Sequence, residues 1–477
     1  MDNPIKIFII GAGDAAHKLL KVLKKTGSLN SNYQIAGFID DDQNKIGKEI
    51  EGIKIMGPIS NLPKLIKEYQ VLELFIAIPS AQSQLIRKVV EIAQKENVKS
   101  KIIPRTVDII RGLVRFEQVR EIKPQDLLGR PVVKHDLTIA SEKVKDKVIL
   151  ITGAAGSIGS ELAKQMAILK PQKLICFDWW ENGVFSLKQK LKQYDFSEIK
   201  YVIGNIQDKI KVDQVIADYG PDVIFHAAAY KHVPLMEENI GEAVKNNVVG
   251  TENLAEAAIR HRVKDFVLIS SDKAINPSSV MGATKRITEK LMYIYADKNS
   301  TKFTGVRFGN VLSSNGSVVP LFEEQIRGGG PITITDPEMV RYFMTIEEAV
   351  QLIIQSWTLG ENGEIFVLDM GEPIKIKDLA KDLIMAYGYV PEKDIKIEIT
   401  GFRPGEKLFE EIVLSKEKVI KTKHPKIFVV QKEEEFDHQD FLNQLKELKA
   451  SVFQPKLNKE EILSHFKKLV PDFNHKN

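Results

Sequence analysis

Two stretches of the chain repeat one pattern: a short apolar run, a glycine turn, then apolar residues at helical spacing. "IKIFIIGAGDAAHKLLKVL" starts at Ile5 and "KVILITGAAGSIGSELAKQM" at Lys147. β-branched side chains suit a strand, and the Leu and Ala spacing that follows suits a helix. The pair predicts two nucleotide-fold units in tandem. The first continues through a strand ending at Asp40 (IAGFID), a strand over 72–81 (LELFIAIPSA), a helix near 82–96 and a strand KSKIIP. Residues 117–145 are polar, interrupted by Pro124 and Pro131, and read as a connector.

The second unit alternates regularly, with strands at 173–178, 200–205, 222–228 and 264–271 and helical stretches between them. Such alternation predicts a parallel sheet wrapped on both faces. From about 303 the pattern is mixed: a glycine-rich bend at 327–331, a helix (TIEEAVQLIIQSW), a strand (EIFVLDM) and a helix (IKDLAKDLIMAYG). The expected fold is α/β: two tandem Rossmann-like doubly wound parallel-sheet domains plus a small α+β substrate lobe. A first domain covers 1–116 and a connector 117–145. The catalytic domain covers 146–430, its lobe starting near 303, and a charged helical tail with no evident chemistry covers 431–477.

Composition narrows the function classes. Basic and acidic residues, 68 against 64, leave a net charge of +4, too balanced for a nucleic-acid or membrane footprint. The lone Cys176, inside the apolar run KLICFD, rules out an internal disulfide framework and a thiolate metal site, and reads as a buried small residue. No metal is expected. No stretch approaches a membrane span, and the early run IFII leads into a turn, so the chain reads as cytoplasmic.

The glycine turns carry the first chemistry. Gly153, Gly156 and Gly159 stand at G-x-x-G-x-x-G spacing between a strand and a helix. Glycine there lets a pyrophosphate approach the backbone, and the helix start offers it unpaired N–H groups. Asp178 ends the next strand, where a carboxylate accepts from ribose hydroxyls and repels a 2′-phosphate. With Trp179 and Trp180 following and no arginine beside it, NAD is favoured over NADP. The first unit offers a looser match in Gly11, Gly13 and Ala16, followed by Asp40 to Asp42; ligand binding and a structural or regulatory role both remain open.

The second chemistry lies in "ISSDKAINPSSVMGATK". A strand ends at Ser271, and Asp272 and Lys273 follow at once, where ligands gather in open parallel sheets. An acid beside a base serves two proton transfers in one reaction. For that, Lys273 must be neutral part of the time, and partial burial and the positive nicotinamide ring would both lower its pKa. The bland alternative is a solvated loop pair.

These motifs, with "HAAAYKHVPLME", resemble the extended short-chain dehydrogenase/reductases acting on nucleotide sugars. "SSDKAINPSSVMGATK", "RFGNVLSSNGSVVPLF" and "FRPGEKLFEE" look more narrowly like the long-chain UDP-N-acetylglucosamine 4,6-dehydratases of bacterial polysaccharide and glycan assembly, and "GFIDDD" and "AIPSA" like the extra nucleotide-fold domain of that branch. The resemblance covers nearly the whole chain. It implies that NAD takes a hydride from C4 of a UDP-sugar and returns it to C6, after loss of the C5 proton and of the C6 hydroxyl as water. Asp272 would then be the acid at C6 and Lys273 the base at C5, with Lys285 on the nicotinamide ribose and Ser271 and Met281 beside them. Many relatives keep a tyrosine at the position of Met281; methionine there looks like the configuration-retaining members. The C4 hydroxyl proton must then leave through Lys285, the Asp272–Lys273 pair or an ordered water.

The resemblance also implies a cofactor shell extending from the glycine turn through Ser157 and Ile158 to Ile206, Asp208, Ala227, Ala228, Ala229 and Asn247. On the substrate side it implies Lys231, His232, Glu237, Asn310 and Val318, with Arg341 and Arg403 on the diphosphate and Glu406 on the uridine ribose. Taken singly, the arginines also suit surface ion pairs, and His232 a backbone cap. Relatives of this kind often associate, so a homo-oligomer is expected, and they usually carry membrane helices ahead of the first nucleotide fold. Two other functions stay in view: a UDP-N-acetylhexosamine 4-epimerase, and a non-catalytic NAD or UDP-sugar sensor.

Overall fold

A computed structural model describes residues 4–25, 33–78, 83–103, 119–122, 126, 138–297, 300–414, 417–431 and 436–475. Pro124 and Pro131, most of the stretch read as a connector, and residues 79–81 of the AIPSA segment lie outside the described residues. The chain divides into two compact units. One comprises 1–133, 321–334 and 377–399; the other comprises 134–320, 335–376 and 400–477.

The first unit is built on β1 (Ile5–Ile10), β2 (Tyr33–Ile39), β3 (Glu49–Ile50), β4 (Ile53–Gly57), β5 (Glu73–Ile76), β6 (Lys99–Ile102) and β7 (Arg120–Glu121). Their order is β3-β4-β2-β1-β5-β6-β7, parallel except at the two edges. Successive side chains of β1 serve opposite faces, as a pleated strand requires. Ile7 and Ile9 pack with Leu19 and Leu20 of α1 (Asp14–Lys25). Phe8 and Ile10 pack with residues of α2 (Leu62–Tyr69) and α3 (Ser83–Lys95). Helices on both faces explain why β1 is a continuous apolar run. Segments 321–334 and 377–399, read from the sequence as part of the substrate lobe, belong to this unit. Arg87 of α3 meets Asp382 at 2.8 Å, and Met385 packs on the same core.

The second unit carries a nine-stranded sheet: β8 (Val148–Thr152), β9 (Lys173–Asp178), β10 (Ile199–Ile203), β11 (Val223–His226), β12 (Asp265–Ile269), β13 (Lys302–Arg307), β14 (Glu364–Leu368), β15 (Val419–Lys421) and β16 (Ile427–Val430). The order is β10-β9-β8-β11-β12-β13-β14-β16-β15, parallel through β14 and antiparallel beyond it. The order reverses between β8 and β11, the switch point where open α/β sheets bind ligands. α4 (Ser157–Leu169) follows β8, and α5 (Val280–Ala296) leads away from the turn after β12. Within the stretch read as a connector, Thr138–Val144 forms a helix whose Ala140 and Val144 join this unit's core.

The tail is integral to the second unit. α6 (His438–Val452) and α7 (Lys459–Leu469) place Phe441, Leu445, Leu448 and Phe466 in the core shared with Leu150 and Phe266 of the sheet. Among the described residues, no helix is long and apolar enough to cross a membrane.

Candidate active site

The glycine turn after β8 is a steric necessity. Gly153 has φ of 67°, and a Cβ on it would come 2.6 Å from the backbone nitrogen of Ala228. A Cβ on Gly159 would collide with the carbonyl oxygen of Gly153. The turn opens into α4 without a side-chain cap, which leaves the first helical N–H groups available to an anion. An open cleft with a volume of about 190 Å³ runs past Gly153, Gly156, Asp178, Ile206, Ala227–Ala229 and Asn315.

Asp178 locks this turn. Its Oδ2 accepts from Ala155 N at 2.9 Å and its Oδ1 from Trp180 N at 3.0 Å. Trp179 and Trp180 flank it, 61% and 45% exposed, as walls of the cleft. The first unit repeats the lock: Asp40 Oδ2 accepts from Ala12 N at 2.8 Å and Oδ1 from Asp42 N at 2.9 Å. There, however, Lys45 Nζ also reaches Asp40 at 3.1 Å. A dinucleotide fits the second cleft: close-approach glycines, uncapped helix N–H groups, and a carboxylate with no cation on it among the described residues.

Other residues of the expected cofactor shell are held by bonds and contacts within the protein. Ser157 Oγ accepts from Asn315 N at 3.1 Å, tying the 310–317 loop to the glycine turn. Ile158 packs against the core. Asp208 caps the following helix by accepting from Lys211 N at 3.0 Å. Asn247 is buried, bonded to the backbone of Tyr230 at 2.8 and 3.0 Å and to Thr284 Oγ1 at 3.0 Å.

At the tip of β12 the chain makes a short 3₁₀ turn over Asp272–Ala274. Ser271 starts it, its Oγ accepting from Lys273 N at 3.3 Å and donating to Asp272 Oδ1 at 2.8 Å. Lys273 Nζ donates to Asp272 Oδ1 at 3.0 Å and to Asn310 Oδ1 at 3.2 Å, and Glu410 Oε1 lies 3.7 Å away. Asp272 is 1% exposed, and its Oδ2 is buried with no hydrogen-bond partner among the described residues. Burial lowers its pKa, but the charges of Asp272 and Glu410 outweigh burial and raise it. The amine rests as an ammonium.

α5 brings Met281 and Lys285 one turn apart on the same face. Met281 lies in the apolar core, 2% exposed. Lys285 Nζ donates to Ile269 O at 3.0 Å, and burial brings its pKa down to about 8. Gly282 is required there, because a Cβ would strike the carbonyl oxygen of Lys273. That contact seats the first turn of α5 directly against the Asp272–Lys273 turn.

The expected substrate residues divide. Lys231 Nζ donates to Ser314 Oγ at 3.2 Å, its pKa lowered by burial and then by the charge of Lys273. His232 stands beside Gly316, its pKa lowered by burial and then by Lys231. Arg341 is buried, donating to the carbonyl oxygens of Val340, Lys407 and Leu408 at 2.7–3.0 Å, so it clamps the 407–410 loop. Arg403 is exposed, with its backbone N–H on Glu406 Oε2 at 3.2 Å. Both carboxylate oxygens of Glu237 are engaged, by Val280 N and by His475. Val318 opens the helix after the 310–317 loop, half-buried. Sequence reading gave no role to Glu410 and Asn315, though both lie in the quoted stretches FRPGEKLFEE and RFGNVLSSNGSVVPLF, nor to His475 in the tail.

A family model described as polysaccharide biosynthesis protein matches residues 149–432, and one described as CoA-binding domain matches residues 2–104. The capsular polysaccharide biosynthesis protein CapD of Staphylococcus aureus is 43% identical over 420 residues, 87% of this chain and 70% of that protein. A UDP-glucose 4-epimerase of Rickettsia canadensis is 37% identical over 281 residues, 57% of this chain and 79% of that protein. Among solved structures, Pen from Bacillus thuringiensis is similar with 35% identity and a TM-score of 0.56, over 62% of this chain and 90% of that one.

Proposed function

The chain belongs to the polysaccharide biosynthesis protein family, and on that footing we propose that it is an NAD-dependent 4,6-dehydratase of UDP-N-acetylglucosamine. The turn Gly153–Gly159 would hold the pyrophosphate and Asp178 the adenosine ribose. When bound, NAD supplies the acceptor for a hydride from C4 of the sugar and returns that hydride at C6.

One observation carries the reading: the Asp272–Lys273 contact at 3.0 Å, with Asp272 buried and its Oδ2 unpartnered. Passing the ammonium proton from Lys273 to Asp272 creates an amine and a carboxylic acid in one movement. The amine takes the C5 proton. The acid gives its proton to the C6 hydroxyl, which leaves as water. Lys285, with a pKa near 8, takes the C4 hydroxyl proton, which the thioether of Met281 cannot accept. On the nucleotide side, exposed Arg403 meets the diphosphate and Glu406 the uridine ribose, while Arg341 shapes the pocket by holding the 407–410 loop.

Incubation with UDP-N-acetylglucosamine should remove one water from the nucleotide sugar, read by mass spectrometry, with no build-up of NADH. The likeness to a 4-epimerase supports a second reading, in which the product keeps the substrate's mass. A product of unchanged mass would decide for it.

A further inference from the structure

Glu410 lies in the stretch FRPGEKLFEE, in which only Arg403 and Glu406 were given roles. It is 8% exposed, with Oε1 3.7 Å from Lys273 Nζ and 3.9 Å from Arg341 Nη2. Its Oε2 is buried with no hydrogen-bond partner among the described residues. Arg341 fixes its place by donating to the carbonyl oxygens of Lys407 and Leu408 just before it. Asp272 takes the same ammonium at 3.0 Å, and its Oδ2 is likewise unpartnered. One ammonium therefore sits between two buried carboxylates.

The groups facing Glu410 come from three segments: Asp272 and Lys273 after β12, Arg341, and Lys407 of its own loop. Burial raises the Glu410 pKa; the charge of Asp272 adds to the rise, and Lys273, Arg341 and Lys407 oppose it.

We propose that Glu410 is a positioning residue for the dehydration: it completes a carboxylate–ammonium–carboxylate clamp, and its charge sets how tightly Lys273 keeps its proton. The assignment rests on the dehydratase reading of the same site. With Glu410 anionic, Lys273 stays protonated between two counter-ions. With Glu410 neutral, Lys273 keeps only Asp272 and passes its proton to that carboxylate more readily. No group is consumed in this device; the proton on Glu410 exchanges with solvent.

The test reads Lys273 directly. Acetic anhydride labelling of the whole protein across pH, followed by peptide mass spectrometry, gives the apparent pKa of the Lys273 amine, on a side chain that is 21% exposed. Glu410→Gln should lower that pKa by about one unit, the shift expected from one nearby opposite charge. Glu410→Asp, which keeps the charge but draws it back, should fall between the two, and it decides the matter if the glutamine variant does not fold. In turnover, the alkaline limb of kcat, where Lys273 loses its proton to solvent, should move to lower pH in Glu410→Gln by the same amount, with KM within twofold of wild type. Labelling profiles that superpose in all three proteins would overturn the proposal. A wild-type enzyme that releases no water would instead sink the dehydratase reading, and the labelling comparison would still decide the role of Glu410.

Discussion

The backbone N–H of Val280 donates to Glu237 Oε1 at 2.7 Å, and that bond ties the start of α5 to the helix over Val233–Glu238. Val280 is the first residue of α5, whose initial N–H groups have no partner within the helix. Ser279 Oγ takes the N–H of Gly282 at 3.1 Å, so two side chains cap the helix that carries Met281 and Lys285. The other oxygen of Glu237 meets His475 Nε2 at 2.7 Å, and Asn474 N donates to Pro277 O at 3.0 Å. The end of the chain thus braces the turn from which the candidate catalytic helix begins.

His475→Ala should therefore destabilise the fold by about 1–3 kcal/mol, the cost of leaving a buried carboxylate oxygen unpaired. Urea unfolding measures it. A change below a few tenths would show that the brace carries no energy.

Asp272→Asn and Lys273→Met should each lower kcat by about 10²–10⁴-fold, the range for removal of a general acid or base. Both are close in size to the residue replaced, so binding of the UDP-sugar, measured by calorimetry, should change little. Near-wild-type turnover in either variant would remove the roles given to the pair.

Lys285 predicts a pH dependence of stability. Its pKa falls from 10.5 to about 8 in the fold through burial. Between those values the unfolded chain binds the proton and the folded chain does not, so this group's contribution to stability rises with pH. The sign is opposite to that of a lysine stabilised by an ion pair. Lys285→Met removes the effect. The stability of wild type relative to this variant should improve by about 2 kcal/mol between pH 7.5 and 9.5. Parallel denaturation curves at the two pH values would contradict the buried, depressed amine.

Asp178→Ala removes the acceptor of two backbone N–H groups at the cleft. NAD affinity should fall at least tenfold in calorimetry, and the preference for NAD over NADP should shrink, since the carboxylate that repels a 2′-phosphate is gone. An unchanged ratio of the two affinities would argue against its role at the ribose.

The parts of this site that were legible in the sequence are local. Gly153, Gly156, Gly159 and Asp178 lie on one strand–turn–helix–strand path, where sterics alone dictate residue type. Asp272 and Lys273 follow a strand end that apolar spacing exposes. The parts that were not legible depend on distant segments. Arg341 reads as a phosphate ligand until the carbonyls of residues 407 and 408 occupy it. The Lys273 pKa reads as lowered until Glu410, from the far end of the second unit, adds a second negative charge. The tail reads as inert because its apolar positions and His475 acquire meaning only against the core and Glu237. Helix periodicity shows that a segment has a buried face, not which partner that face meets.

The proton traffic of Asp272 and Lys273 is tested most directly by running the reaction on UDP-N-acetylglucosamine in heavy water and reading the product by NMR. Removal and return of the C5 proton by a solvent-exchanging amine predicts a 4-keto-6-deoxy sugar with deuterium at C5. A 6-deoxy product carrying only protium at C5, or a sugar that still bears its C6 hydroxyl, would contradict it.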